Sequence, residues 1–202
     1  MSAEQLIVFV KAPRPGAVKT RLAKSIGAAA ACEAYRTLAE TLFFQLSKLS
    51  NAELRFAQDD AGDEIKPWLR NNWGMRPQGQ GSLGRRLQRA FAQAFSHGAH
   101  RVVIIGSDCP AVRLRDIEEA WSALKLNDVV IGPARDGGYW LIGLRQPQPT
   151  LFDGIAWSTE RVLGETLQRA EHAGLRVKLL QELSDVDSEN EWRAFLAGNE
   201  KT

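Results

Sequence analysis

Short apolar runs alternate with amphipathic segments along the chain, and this alternation constrains the fold more than any other sequence feature. Buried or half-buried strands are predicted at residues 6–10, 52–57, 75–78, 102–105, 128–131, 139–144 and 176–180. Helices are predicted from about residue 18 and over residues 28–49, 63–69, 83–95, 114–124, 158–172 and 188–196. Strands that alternate with helices are typical of a parallel sheet covered on both faces. We therefore predict one three-layer α/β/α domain over residues 1–202, with a mixed, mostly parallel sheet.

The composition is that of an ordinary globular protein. Of 202 residues, 44% are hydrophobic and 25% are charged, and the formal net charge of +2 gives no general affinity for nucleic acids. No apolar run reaches transmembrane length, and residues 1–5 lack the features of a signal peptide. Cys32 and Cys109 have no CxxC partners, which fits a reducing compartment, so we expect a cytoplasmic location.

An acidic residue follows the most strand-like run of the sequence. Residues 102–105 are Val-Val-Ile-Ile, and the motif Gly-Ser-Asp-Cys-Pro follows at residues 106–110. Open α/β sheets bind ligands at the carboxyl ends of their strands, which is where Asp108 is predicted to lie. A carboxylate there predicts a metal–nucleotide site. The alternative is that Asp108 caps the next helix or a turn before it.

The loop after the first predicted strand is basic and leads into a helix, with the sequence KAPRPGAVKTRL. Backbone N–H groups and basic side chains at a helix start form a natural anion site. We predict that nucleotide phosphates are bound by Lys11, Gly16, Lys19, Thr20 and Arg21. A P-loop is excluded because valine, not glycine, precedes the second lysine. The alternative is a solvated helix start that binds nothing.

A second glycine-rich segment, QGQGSLGRRL at residues 78–87, opens the next predicted helix. Its glycines would let the backbone approach a base or a ribose, which makes Gln80, Gly81 and Gly84 candidates for nucleotide binding. Turn formation explains these glycines equally well.

Two further acidic motifs follow predicted strands. Asp136 lies between two strands and precedes Gly137 and Gly138, so it is a candidate to bind or deprotonate a substrate hydroxyl. An Asp-Gly hairpin turn is the alternative. Asp185 and Asp187 follow the last strand, and one of them is predicted to complete a cation's ligands with Asp108. Capping of the helix that begins at residue 188 is the alternative there.

Together these segments resemble the bacterial DUF2064 family, also described as selenodomain-associated or arsenosugar-type glycosyltransferases. The resemblance runs from residue 6 to about residue 195 through KxPxPGxVKTRL, QGxGxLGxRL, GSDCP, GPAxDGGYWLIGL, FxGIxWST and DVD. It implies a nucleotide-diphospho-sugar transferase fold of the glycosyltransferase A type. Ser82 departs from the family, where an acidic residue is common at this position. The basic loop also resembles that of the phospholactate guanylyltransferases, which perform nucleotidyl transfer.

The resemblance also implies roles for individual residues. The phosphates would be lined by Lys11, Gly16, Lys19 and Arg21, and the base and ribose by Gln80, Gly81 and Gly84. Asp108 would bind the metal, and the sugar or acceptor would face Asp136, Gly137, Gly138 and Trp157.

We therefore expect a Mg²⁺- or Mn²⁺-dependent transferase that moves a sugar from a nucleotide-sugar to a small-molecule acceptor. A nucleotidyltransferase that releases pyrophosphate from an NTP is the first alternative. A non-catalytic nucleotide-binding protein is the second.

Overall fold

A seven-stranded mixed sheet forms the centre of the molecule. The computed structural model describes residues 4–70 and 72–199. Within them the strands are β1 (Glu4–Lys11), β2 (Ala52–Ala57), β3 (Gly74–Pro77), β4 (Arg101–Gly106), β5 (Val129–Pro133), β6 (Tyr139–Leu144) and β7 (Val177–Leu179). Their order is β3-β2-β1-β4-β6-β5-β7. Only β6 is antiparallel to its neighbours, so the predicted mixed, mostly parallel sheet is confirmed.

The helices occupy the segments between the strands. They are α1 (Thr20–Ile26), α2 (Ala28–Gln45), α3 (Gly62–Ile65), α4 (Leu83–Ser96), α5 (Leu114–Ala123), α6 (Val162–His172) and α7 (Glu189–Asn199). Short 3₁₀ segments cover Lys66–Trp68 and Pro149–Phe152. None of the helices in the described ranges has both the length and the apolar character needed to cross a bilayer.

Two predicted helix boundaries are wrong. The helix expected over residues 28–49 ends at Gln45. The helix expected to be capped by Ser158 or Thr159 begins at Val162. Ser158 has a left-handed backbone with φ of 65°, and the Thr159 hydroxyl donates to the Ala156 carbonyl at 2.7 Å, so both residues belong to a turn before the helix.

Helices cover both faces of the sheet because the apolar side chains of each strand point alternately to the two sides. On β1, Leu6, Val8 and Val10 share a core with α2 and α5, whereas Ile7 packs with α4 and α6. The three-layer arrangement is therefore confirmed. α1 and α7 lie outside these layers and meet through a small cluster around Leu22.

The parallel strands bring four distant loops to one edge of the sheet. β1 leads into the basic loop (residues 11–19), β4 into residues 107–110, and β7 into residues 180–188, while the β5–β6 turn lies at the same edge. The Val186 N–H donates to the Asp108 carbonyl at 3.3 Å, which joins the second and third of these loops directly. The fold thus places residues separated by more than half the chain next to one another.

The β5–β6 turn depends on Gly137. This residue has φ of +84°, and a Cβ there would lie 2.2 Å from the backbone oxygen of Glu160. The Gly138 N–H donates to the Asp136 carboxylate at 3.0 Å. Asp136 therefore stabilises this hairpin turn, as the turn interpretation of its motif predicted.

We predict that Gly137→Ala destabilises the protein by more than about 2 kcal/mol, because the substitution combines an unfavourable φ with a backbone clash. Chemical denaturation measures the change. Gly164→Ala in α6 is the matched control: its Cβ meets nothing within 4 Å, and alanine is a better helix former than glycine. Equal stabilities of the two variants would contradict the assigned packing of the turn.

Candidate active site

A cleft of about 910 Å³ opens at the carboxyl edge of the sheet. Its lining includes basic-loop and α1 residues Lys11, Lys19, Thr20 and Arg21, the acidic residues Asp108, Asp136, Asp185 and Asp187, and Gly138, Tyr139, Trp157 and Ser158. Ten of the residues singled out from the sequence are in this group: Lys11, Lys19, Thr20, Arg21, Asp108, Asp136, Gly138, Trp157, Asp185 and Asp187. The cleft therefore brings together the predicted metal-binding residues and, except for Gly16, the predicted phosphate-binding residues.

The ammonium of Lys19 lies between two carboxylates at the centre of the site. Its Nζ is 3.5 Å from Asp108 Oδ2 and 3.1 Å from Asp187 Oδ1. The Lys19 side chain is 1% exposed, whereas those of Asp108 and Asp187 are 41% and 38% exposed. Burial opposes the charge of Lys19, but the two carboxylates outweigh it and raise the lysine pKa above its usual value. Lys19 is therefore a charged group held inside the wall of the cleft.

The backbone of the basic loop directs Lys19 into this position. Lys19 is the residue before α1 and has a left-handed backbone, with φ of 47° and ψ of 45°. The flanking residues Val18 and Leu22 are fully buried, which anchors both sides of the bend. Arg21, one residue into α1, places its guanidinium 3.5 Å from the other oxygen of Asp187 and remains largely exposed. Lys19 and Arg21 therefore pair with different oxygens of the same carboxylate.

Asp108 does not cap the helix that follows it. At α5 the capping contact is made by Asp116, whose carboxylate accepts from the Arg113 N–H at 2.7 Å. Asp108 instead directs one oxygen to Lys19, and its other oxygen, Oδ1, is buried without a hydrogen-bond partner among the described residues. A buried carboxylate oxygen in this state is a strong candidate to bind a cation or a hydrogen-bond donor.

Asp187 does not cap the last helix either. The Asp187 and Ser188 N–H groups and the Ser188 hydroxyl all donate to Glu191 Oε2, at 2.9, 2.7 and 2.8 Å. The Glu191 N–H donates back to the Ser188 hydroxyl at 3.3 Å, which completes a capping box. Because Ser188 and Glu191 cap the helix, the Asp187 carboxylate is left to face Lys19 and Arg21.

Asp185 is the third member of the acid cluster, which we define as Asp108, Asp185 and Asp187. Burial, followed by the nearby charge of Asp108, raises the pKa of Asp185 to about 7, although Lys19 opposes the shift. Ionisation of all three carboxylates of the cluster is therefore unfavourable near neutral pH. A cation in the cleft would relieve this repulsion.

A hydrogen-bond network under the cleft was missed by sequence reasoning. The Lys11 N–H donates to the Tyr35 hydroxyl at 2.9 Å, and that hydroxyl lies 2.9 Å from Ser107 Oγ. Tyr35 thus joins the last residue of β1 to the residue before Asp108. Its helical spacing gave only a core position on α2, because nothing in the local sequence shows which strand ends its hydroxyl meets.

Two aromatic side chains also line the cleft. Tyr139 and Trp157 pack edge to face, with ring centroids 6.4 Å apart, and the Tyr139 hydroxyl is buried beside Thr166. Leu83 and Ser158 are part of the same lining. Of these residues, only Trp157 was predicted to face the ligand.

Some predicted ligand-binding residues lie outside the cleft lining. Gly16, Gln80, Gly81, Gly84 and Gly137 form no part of it. Gly84 is required for packing, since a Cβ there would lie 2.7 Å from the Phe152 carbonyl oxygen. Gln80 donates to Asp59 at 3.3 Å, and the Gly81 carbonyl accepts from Arg86. The nucleotide-binding roles of Gly16, Gln80, Gly81 and Gly84 and the acceptor-binding role of Gly137 therefore remain predictions.

Hydrogen bonds from two arginines hold the glycine-rich segment in place. Arg86 donates to Gly81 and to Gln78, and Arg89 donates to the Gln78 and Gln80 carbonyls. Gln78 is buried and donates to the Val10 and Arg55 carbonyls at 3.0 and 2.8 Å. Ser82, the departure from the family pattern, accepts from the Arg85 N–H at 3.4 Å and caps α4.

The acid cluster suits a divalent cation only in part. Within residues 4–70 and 72–199, no group of three His, Cys, Asp or Glu side chains is arranged so that it could hold a metal ion. Mg²⁺, however, is commonly bound by one or two carboxylates together with substrate phosphates. The unpartnered oxygen of Asp108 and the crowded charge of Asp185 fit that mode of binding.

Comparison with known proteins places the chain in a family. Residues 42–159 match the family described as "Uncharacterized protein conserved in bacteria (DUF2064)". A protein of Desulfovibrio desulfuricans G20, provisionally assigned as a nucleotide-diphospho-sugar transferase, is 34% identical, with a TM-score of 0.90 over 100% of this chain and 90% of that chain. Curated proteins give no significant match.

More distant structures share the fold alone. The 4-diphosphocytidyl-2C-methyl-D-erythritol synthase of Anaerococcus prevotii DSM 20548 is 13% identical, with a TM-score of 0.63 over 97% of this chain and 100% of that chain. A manganese complex of Rv0371C from Mycobacterium tuberculosis H37Rv is 16% identical, with a TM-score of 0.51 over 97% of this chain and 99% of that chain. The predicted nucleotide-diphospho-sugar transferase fold is confirmed.

We predict that the metal-free protein loses stability as the pH rises through neutrality. Asp185 has its pKa raised from 3.8 to about 7, so the folded state holds a proton that the unfolded state releases. The stabilisation from this proton is fully present below about pH 4. It decreases as the pH rises and is lost above about pH 7. Between pH 5 and pH 8 the free energy of unfolding should fall by about 1–2 kcal/mol more in the natural protein than in the Asp185→Asn variant. Urea unfolding in EDTA measures both slopes, and parallel slopes would contradict the shifted pKa.

Proposed function

Because this chain belongs to the DUF2064 family, we propose that it is a metal-dependent transferase that moves a sugar from a nucleotide-sugar to a small acceptor. The observation that carries this proposal is the convergence of the acid cluster and the cations Lys19 and Arg21 in one cleft at the carboxyl edge of the sheet. The provisional assignment of the 34% identical protein supports the same class of donor.

The basic side of the cleft suits the diphosphate of the donor. Lys11 and Arg21 line the cleft together with Thr20, the first residue of α1. Positive side chains held in place before the reaction stabilise negative charge that develops on a leaving group. The bond from the sugar to the diphosphate breaks as the acceptor oxygen forms its bond to the sugar, and the nucleoside diphosphate leaves.

Asp136 is the group we propose to accept the proton of the acceptor hydroxyl. Asp136 lines the cleft together with Asp185 and is exposed to solvent. Its carboxylate accepts a hydrogen bond from the Gly138 N–H. The rigid turn fixes its position, and its exposure leaves an oxygen available to the acceptor. Tyr139 and Trp157 offer an apolar surface in the same cleft, against which a sugar ring could pack.

The cation is assigned to Asp108 together with Asp185 or Asp187. Carboxylate oxygens are the ligands that Mg²⁺ and Mn²⁺ prefer, and the buried Oδ1 of Asp108 lacks another partner in the described chain. When bound, the cation would supply positive charge that neutralises the diphosphate.

Nucleotidyl transfer is the second candidate. Lys11, Lys19 and Arg21 offer three cations near one cleft, which also suits a triphosphate. The 13% identical synthase from Anaerococcus prevotii has the same fold, and its name denotes a product that carries a diphosphocytidyl group. In this reaction the acceptor would attack the α-phosphate of an NTP, and pyrophosphate would leave.

A thermal-shift screen of NTPs, NDPs and nucleotide-sugars, with and without Mn²⁺, distinguishes the donors. We expect stabilisation by nucleotide-sugars and NDPs that depends on Mn²⁺, since binding to the folded state raises the melting temperature. Release of an NDP from the stabilising donor would support sugar transfer, and release of pyrophosphate from an NTP would support the second candidate. No stabilisation by any nucleotide would contradict both.

We predict that Asp108→Asn weakens Mn²⁺-dependent nucleotide binding about tenfold or more, which corresponds to about 1.4 kcal/mol or more of binding free energy. Calorimetry with the nucleotide identified in the screen measures the change. Asp63→Asn is the control, because it removes the same charge from an exposed position outside the cleft lining. Unchanged affinity in Asp108→Asn would reject the role of Asp108.

A further inference from the structure

Lys19 already neutralises part of the negative charge of the carboxylates that would bind a metal ion. Its ammonium pairs with Asp108 and with Asp187, and Arg21 pairs with the second oxygen of Asp187. The three carboxylates of the acid cluster and these two cations leave one net negative charge when all five groups are ionised. That charge is small for a site meant to attract a free divalent ion from water.

Lys19 is held in a buried position, so its positive charge acts on the carboxylates at all times. With a side chain that is 1% exposed, it is shielded from bulk solvent, and salt screens buried charges much less than exposed ones. The left-handed backbone at Lys19 and the buried residues on either side, Val18 and Leu22, limit its freedom to swing away. The ammonium is therefore a fixed internal cation of the site, whereas the carboxylates face the cleft.

From this arrangement we infer that Lys19 makes metal binding conditional on the nucleotide. The site binds free Mg²⁺ or Mn²⁺ weakly, and it takes the cation together with nucleotide phosphates, whose negative charges restore the attraction that Lys19 cancels. The same ammonium contributes to phosphate binding. Lys19 is thus a specificity-determining residue that selects the metal–nucleotide complex over the free ion.

This inference rests on the proposed function but adds a separate prediction about the free ion. An adjacent positive charge weakens the binding of a cation, so removing the charge of Lys19 should strengthen it. The same removal should weaken nucleotide binding, because a cation near the phosphates is lost. Opposite changes for the two ligands are the signature of the role that we assign to Lys19.

The Lys19→Met variant tests the inference through two affinities. Electron paramagnetic resonance measures the binding of Mn²⁺ alone, and calorimetry measures the binding of Mn²⁺ together with the nucleotide identified in the thermal-shift screen. We expect the variant to bind free Mn²⁺ at least about tenfold more tightly than the natural protein and to bind Mn²⁺–nucleotide at least about tenfold more weakly. Lys24→Met is the matched control, since it removes one exposed lysine from α1, the helix that follows Lys19, and should leave both affinities unchanged.

Lys19→Arg keeps the positive charge and provides a second test if the Lys19→Met variant does not fold. It should retain the weak binding of free Mn²⁺ seen in the natural protein. Tight binding of free Mn²⁺ by the natural protein would overturn the inference, as would unchanged or weaker binding of free Mn²⁺ by a folded Lys19→Met variant. Absence of nucleotide binding by the natural protein would instead contradict the proposed function, so the two failures are distinguishable.

Discussion

The ion pairs of Lys19 with Asp108 and Asp187 are the interaction on which the site depends. They join the end of the basic loop, the end of β4 and the segment after β7, and one of them spans 168 positions of sequence. Because the Lys19 side chain is buried, removing either carboxylate would leave its ammonium less well compensated, which is costly. The pairs therefore hold the acid cluster in place, and they also set its charge before any ligand arrives.

The topology explains why these residues could meet at all. Strands that run in the same direction place their carboxyl ends at one edge, and a crevice at that edge is the usual ligand site of an open α/β sheet. The remaining hydrogen-bonding demands near the edge are met by other groups: Asp116 caps α5, and Glu191 caps α7. This division of labour leaves the carboxylates of Asp108 and Asp187 available to the cleft.

Much of this arrangement could be predicted from the sequence, because apolar runs identify buried strands and acidic motifs directly follow them. The convergence of Asp108, Asp185 and Asp187 followed from strand direction alone. The pairing of Lys19 with those acids could not be predicted, since it depends on a left-handed residue and on tertiary packing that local sequence does not encode. The function of Tyr35 was hidden for a similar reason, because helical periodicity identifies a buried position but not the partner of its hydroxyl.

The central claim is that a metal–nucleotide complex binds against the acid cluster, beside Lys19. The most direct measurement is anomalous diffraction at the manganese edge from crystals grown with Mn²⁺ and a nucleoside diphosphate. We predict an anomalous peak within coordination distance of Asp108, with the diphosphate beside Arg21 and the start of α1. A peak at another place on the chain, or a diphosphate bound away from α1, would contradict the claim.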